Sequence, residues 1–84
     1  MKQPELEFPL LWEYKIIARQ GEEALCAVRE VLRSYGFNQA PRPGNVSRNG
    51  SYITYTVKMN MPSREHLDAL TKALSDCECV RYLL

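Results

Sequence analysis

The sequence lacks most of the signals by which a function is usually read. No apolar run approaches the roughly 20 residues that cross a bilayer as a helix, and the opening MKQPELEFPLLWEYK interrupts its apolar residues with charges and prolines. A secretory leader needs an unbroken apolar stretch there, so a cytoplasmic chain is expected, with reduced cysteines. No sign of charge dominates: 11 Lys and Arg face 10 Asp and Glu, a net +1. Dedicated nucleic-acid domains usually carry a clear basic excess. The four glycines are scattered, so no phosphate-cradling loop exists. One histidine and three cysteines, an odd number without a repeated pairing, indicate neither a disulfide framework nor a structural metal. No cofactor is expected.

What is present is ordinary globular composition, 45% hydrophobic and 25% charged, in 84 residues. A chain of this size buries roughly 60–65% of its unfolded surface, which suffices for one core. Residues 1–9, with two prolines and mixed charge, read as a loose lead-in. From Leu10 the even positions Leu10, Trp12, Tyr14, Ile16 and Ala18 are apolar, while the odd ones include Glu13, Lys15 and Arg19. Period two predicts a half-buried strand. Gly21 then opens a helix whose first turn holds Glu22 and Glu23, acids suited to the positive end of the helix dipole. Ala24, Leu25, Val28, Val31, Leu32 and Tyr35 form its apolar stripe. Gly36 is a left-handed stop, and NQAPRPG at 38–44 reads as a loop.

SRNGSYITYTVKMN at 47–60 carries Asn-Gly ahead of an alternating run, a strong hairpin signal. A two-residue type I′ turn at Asn49-Gly50 would pair Arg48 with Ser51, Ser47 with Tyr52 and Val46 with Ile53. Val46 and Ile53 would then share the apolar face with Tyr55, Val57 and Met59. MPSREHL ends that strand and begins a second helix, with Ser63 as N-cap. Leu67, Leu70 and Leu74 make its buried stripe, and Asp68 and Lys72 make an outer i,i+4 pair. The last strand, 79–84, is expected to point Val80, Tyr82 and Leu84 inward, since the other parity would bury Arg81.

The order β-α-β-β-α-β, with two right-handed crossovers and one hairpin, predicts an α+β ferredoxin-like plait in a single domain. Its antiparallel sheet has strand order 4-1-3-2, and both helices lie on one face. The other face stays uncovered. It is expected to carry Glu13, Lys15, Ile17 and Arg19, then Tyr52, Thr54, Thr56 and Lys58, then Cys79, Arg81 and Leu83.

Candidate chemistry is thin. His66, in the first turn of the second helix, has no nucleophile motif around it and reads as a flanking surface residue. Cys26 lies on the polar face of the first helix, near Arg33, which a solvated helix face explains. Cys77 and Cys79, in DCECV, offer two ligands where a closed zinc site needs four. RNA-recognition modules share the βαββαβ order and stack bases on open-face aromatics. GSYITY resembles the end of their third-strand signature, with Tyr52 outward, but Gly50 stands at the upstream ring position and Tyr55 points inward. One ring is no stacking platform, so nucleic acid is not the expected partner.

LEFP at 6–9, Tyr14-Lys15-Ile16, SRNGSY at 47–52, TVKMNMPSREHLDAL at 56–70 and the closing VRYLL together resemble the YbeD-like family of small bacterial proteins. The resemblance runs from Leu6 to Leu84. It implies a ferredoxin-like fold close to the ACT regulatory domains, with no established biochemical activity. GEEALCAVREVLRSYGFN at 21–38 is similar to the ACT pattern of glycine, apolar stripe and Gly-x-Asn. ACT domains pair and bind small effectors at the turn after the first strand. The resemblance thus implies an effector turn at Arg19, Gln20, Gly21, Glu22 and Glu23.

The sequence is therefore expected to encode a non-enzymatic regulatory or protein-interaction module. Its binding surface would be the open sheet face, with Lys15, Ile17, Arg19, Tyr52, Lys58, Arg81 and Leu83 meeting a protein partner or a second copy. Aromatic and arginine side chains are the types that anchor interfaces. An ACT-like amino-acid sensor is the alternative, and a single-stranded RNA binder the next. No membrane association is expected.

Overall fold

The computed structural model describes residues 7–84. Six elements follow in the expected order: β1 (Leu10–Arg19), α1 (Glu22–Ser34), β2 (Arg42–Val46), β3 (Tyr52–Met61), α2 (Arg64–Asp76) and β4 (Val80–Leu83). The strands form one sheet in the order β2-β3-β1-β4, with every neighbouring pair antiparallel. This is the α+β ferredoxin-like plait. The lead-in read over residues 1–9 falls outside the described residues up to position 6, while Phe8 packs against the core.

The long central pair sets the frame. β1 and β3 keep one unbroken register, from Leu10 opposite Met61 to Arg19 opposite Tyr52. Alternation therefore puts Tyr14, Ile16 and Ala18 beside Ile53, Tyr55, Val57, Met59 and Met61 on one buried face. Val28 and Leu32 of α1 and Leu67, Leu70 and Leu74 of α2 pack into the same cluster, so both helices cover that face. Full burial of a side chain such as Leu70 stabilises the fold by roughly 1.5–3 kcal/mol.

The helix ends follow local chemistry. Ser63 caps α2, its Oγ accepting from the His66 N–H at 3.1 Å. α1 ends in a Schellman motif, with Gly36 at φ 87°. The Gly36 N–H donates to the Arg33 carbonyl at 2.9 Å and the Phe37 N–H to that of Leu32 at 3.0 Å. Phe37 is thereby turned into the core. His66 is more than a flanking surface residue: its Nε2 donates to the Tyr35 carbonyl at 2.9 Å. Its ring also meets those of Tyr35 and Phe37 edge-on, tying the end of α1 to the start of α2. The outer ion pair on α2 joins Arg64 to Asp68 at 3.9 Å, in place of the expected Asp68–Lys72 pair.

Three segments depart from simple alternation. The expected loop at 38–44 already contains the start of β2, an exposed edge strand. Pro43 is tolerated there because an edge strand need not donate on its outer side. A Cβ at Gly44 would lie 3.2 Å from the Thr54 carbonyl oxygen, so the close approach of β2 to β3 favours glycine. Val46 does pair with Ile53, but the register shift between Pro43 and Val46 leaves its side chain 47% exposed.

The hairpin turn is not type I′, because Asn49 has a negative φ and only Gly50 is left-handed, at φ 76°. The loop spans Arg48 to Ser51, closed by Gly50 N–H donating to the Ser47 carbonyl at 2.9 Å and Ser47 N–H to that of Tyr52 at 2.8 Å. Asn49 Oδ1 accepts from the Ser51 N–H at 3.1 Å and from Ser47 Oγ at 3.0 Å. Those side-chain bonds supply the turn, so the tight two-residue form is unnecessary.

The third departure lies in β4. Ile16 faces Leu83 and Ile17 faces Tyr82, but Ala18 faces Val80, so a bulge sits at Arg81. Two successive residues of β4 then oppose one step of β1, and the parity flips.

Candidate interaction site

The bulge decides what the open face presents. Residues opposite one another in an antiparallel pair share a face. Leu83, opposite the buried Ile16, therefore packs against the core, contrary to its expected place on the open face. Tyr82, opposite the outward Ile17, leaves the core and is 57% exposed. Leu84, expected inward, is exposed as well. Cys79 also changes sides: its Sγ donates to the Ala24 carbonyl of α1 at 3.6 Å instead of facing outward.

Arg81 and Tyr82 thus point the same way, over the end of the sheet where Arg19 faces Tyr52. The Arg81 guanidinium carbon lies 5.8 Å from the Tyr52 ring centre and 5.6 Å from that of Tyr82. Arg19, Tyr52, Glu78, Arg81 and Tyr82 line a shallow cleft of about 260 Å³. Among the described residues, neither Arg19 nor Arg81 forms an ion pair. The hollow thus brings two guanidinium groups and two phenols together beside the Glu78 carboxylate, and planar forked guanidinium donors are of the kind that suit carboxylate and phosphate.

The remaining expected surface residues lie elsewhere on the same face. Ile17, between Thr54 and Tyr82, shares a second shallow cleft with Val46 and Tyr52. Lys15 is exposed beside Thr56, and its backbone exchanges hydrogen bonds with Leu84 at 3.2 and 2.9 Å. Lys58 sits at the far end and is engaged by Glu13 at 3.7 Å. The structure therefore gathers Arg19, Tyr52 and Arg81, adds Tyr82, sets Lys15 and Lys58 apart, and removes Leu83.

The turn after β1 has its own hollow. Gly21, at φ 129°, starts α1 without a side-chain cap. The Gln20 N–H donates to the Ser51 carbonyl and the Arg19 N–H to that of Cys79, each at 2.9 Å. Arg19, Gln20 and Glu23 line a cleft of about 450 Å³ together with Cys77, Glu78 and Cys79. Gly21 and Glu22 do not line it. Cys77 Sγ lies 3.1 Å from Cys79 Sγ. Burial, the hydrogen bond with Cys77 and its nearby charge push the Cys79 thiol up to about 11, against smaller pulls from a backbone hydrogen bond and from Arg19.

Sequence reasoning missed Tyr82 because alternation carries no sign of a bulge. The one hint was the doubled Leu83-Leu84, which leaves the parity of VRYLL open.

The same fold is found in a solved protein. The solution structure of HP0495 from H. pylori superposes with a TM-score of 0.83 at 22% identity, over 99% of this chain and 89% of that one. Among relatives by sequence, a UPF0250 protein of Nitrosomonas europaea is 30% identical over 81 residues, covering 94% of this chain and 93% of its own. A UPF0250 protein of Bordetella pertussis is 31% identical over 71 residues, 82% of this chain and 78% of its own. A family model described as "Protein of unknown function (DUF493)" matches residues 3–84. The chain accordingly belongs to this DUF493 family of small bacterial proteins whose function is not established.

Proposed function

We propose that this protein is a non-enzymatic interaction module that grips an acidic segment of a partner protein at the corner formed by Arg19, Tyr52, Arg81 and Tyr82. The observation that carries this reading is the Arg81 guanidinium 5.8 and 5.6 Å from two phenol ring centres, in one cleft with a second arginine, with no carboxylate paired to either among the described residues. Ring contacts hold the guanidinium in place before binding, which lowers the ordering cost of capture. Ile17 and Val46 extend the corner with apolar surface. The absence of a nucleophile–base motif in the sequence supports a binding role over a catalytic one. The test is quantitative capture of bound proteins from the native cell by the wild type and by Tyr52→Ala/Arg81→Ala. At least one acidic partner should be lost from the variant; an unchanged set overturns the reading.

A second reading is a small-molecule sensor of the ACT type, favoured by the cleft at the turn after β1. Arg19 there suits a carboxylate, while Glu23 and Glu78 suit an ammonium group, the two charges of an amino acid. A ligand present at 100 times its Kd stabilises the native state by about 2.7 kcal/mol. A thermal-shift screen of amino acids and organic acids that yields no stabilisation sinks this reading.

A further inference from the structure

We propose that Cys77 and Cys79 form a reversible dithiol–disulfide site that exchanges with low-molecular-weight disulfides. The two sulfur atoms already touch, at 3.1 Å, and a bond needs them to close to roughly 2.05 Å. The backbone around them is held on both sides. The Cys77 N–H donates to the Leu74 carbonyl at 3.2 Å, the Val80 N–H to that of Cys77 at 3.0 Å, and the Arg19 N–H to that of Cys79 at 2.9 Å. The pair is therefore presented on a fixed turn between α2 and β4 and does not depend on a chance encounter of mobile thiols. Both side chains are half-buried and border the cleft of about 450 Å³, which a small disulfide can enter past Arg19 and Gln20.

The environment divides the labour. Cys79 donates its thiol proton to the Ala24 carbonyl at 3.6 Å, and burial pushes that thiol up to about 11, so it stays protonated at neutral pH. Cys77 is thus the attacking group. Its thiolate displaces one thiolate from the small disulfide and forms a mixed disulfide. Cys79 then loses its proton and attacks Cys77 Sγ, expelling the second small thiol. One disulfide and two protein thiols become two small thiols and one protein disulfide, so the small disulfide is reduced as the protein is oxidised. A bridge between residues only two apart closes a small ring, and strained disulfides are the readily reduced, labile kind. The pair accordingly rests as a dithiol in a reducing environment and closes when small disulfides accumulate. Cys26, exposed on α1, is a third free thiol and is replaced in the test so that only the pair reacts.

The experiment uses the full chain carrying Cys26→Ser, incubated with oxidised glutathione, alkylated and weighed under non-reducing conditions. The expected product is a monomer lighter by two hydrogen atoms, inert to alkylation and restored by dithiothreitol. With Cys79→Ser added, a stable glutathione adduct should build up on Cys77. With Cys77→Ser added instead, the adduct on Cys79 should form about tenfold more slowly, as expected for a thiol of high pKa. A stable adduct on Cys77 while Cys79 is present overturns the proposal. So does a chain whose two thiols both remain open to alkylation.

Discussion

Arg81 of the edge strand β4 reaches across β1 to place its guanidinium carbon 5.8 Å from the ring centre of Tyr52 on β3. Both side chains face outward by alternation, and the bulge opposite Ile17 and Ala18 brings Tyr82 to the same side as Arg81. The contact links β4 to β3 across β1, at a corner of the open face that is both aromatic and cationic.

A double-mutant cycle on Arg81 and Tyr52 should read that contact directly. Exposed cation–π pairs contribute about 0.5–1 kcal/mol, so urea unfolding of the single and double alanine variants should give a coupling in that range. A coupling indistinguishable from zero would show that the guanidinium is not held by the ring.

The parity of β4 has a sharper test. Leu83 packs against the core and Tyr82 is mostly in solvent. Leu83→Asp should therefore lower stability by about 2 kcal/mol or more through burial of an unpaired charge, whereas Tyr82→Asp should stay within about 1 kcal/mol. Chemical denaturation that ranks the two in the opposite order would restore strict alternation along the strand.

Stability should fall at alkaline pH through Tyr14. Its hydroxyl lies 2.6 Å from Thr71 Oγ1 beneath α2. Burial raises its pKa above the ordinary 10.0, the Thr71 hydrogen bond opposes this, and the Asp68 charge adds to it. A raised native pKa means the contribution is complete below pH 10.0 and is lost as pH climbs through the native value. Tyr14→Phe should flatten that alkaline slope in urea midpoints measured from pH 8 upward. It should also cost about 1 kcal/mol at neutral pH from the lost hydrogen bond.

Single-stranded RNA should not bind, even at low salt. The structure does supply a second open-face ring, Tyr82, but the Arg81 guanidinium already lies 5.8 and 5.6 Å from the centres of the two rings on which bases would stack. Near-neutral net charge also removes the counterion-release drive that nucleic-acid binders use. Salt-dependent binding that weakens in Tyr52→Ala would turn the function toward RNA.

The hairpin tip makes a local prediction. Gly50 has nothing within 4 Å of a would-be Cβ, yet its φ is 76°. Gly50→Ala should thus cost about 1–2 kcal/mol from backbone conformation alone, whereas Asn49→Gly should lose the Oδ1 hydrogen bonds to Ser47 and Ser51. Thermal unfolding of both variants checks the assignment of the turn.

Local periodicity along the chain is enough to specify the plait and most of its core. The pairing of Ile16 with Tyr55 and Tyr14 with Val57 is set by the docked strands, but that these four share the buried face follows from period-two alternation. Val28, Leu32, Leu67, Leu70 and Leu74 follow from helical spacing. These are local periodicities, and each stretch of chain carries its own. The corner was only half legible. Arg19 and Tyr52 face outward by simple parity, but Tyr82 and Leu83 exchange places because β4 must meet β1 through a bulge, and a bulge depends on the partner strand. The same holds for the Cys77–Cys79 contact and for His66 against Tyr35: one needs the turn folded against β1, the other needs two helices docked. Tertiary structure decided which side chains meet wherever a register shift or a packed helix pair overrides the local period.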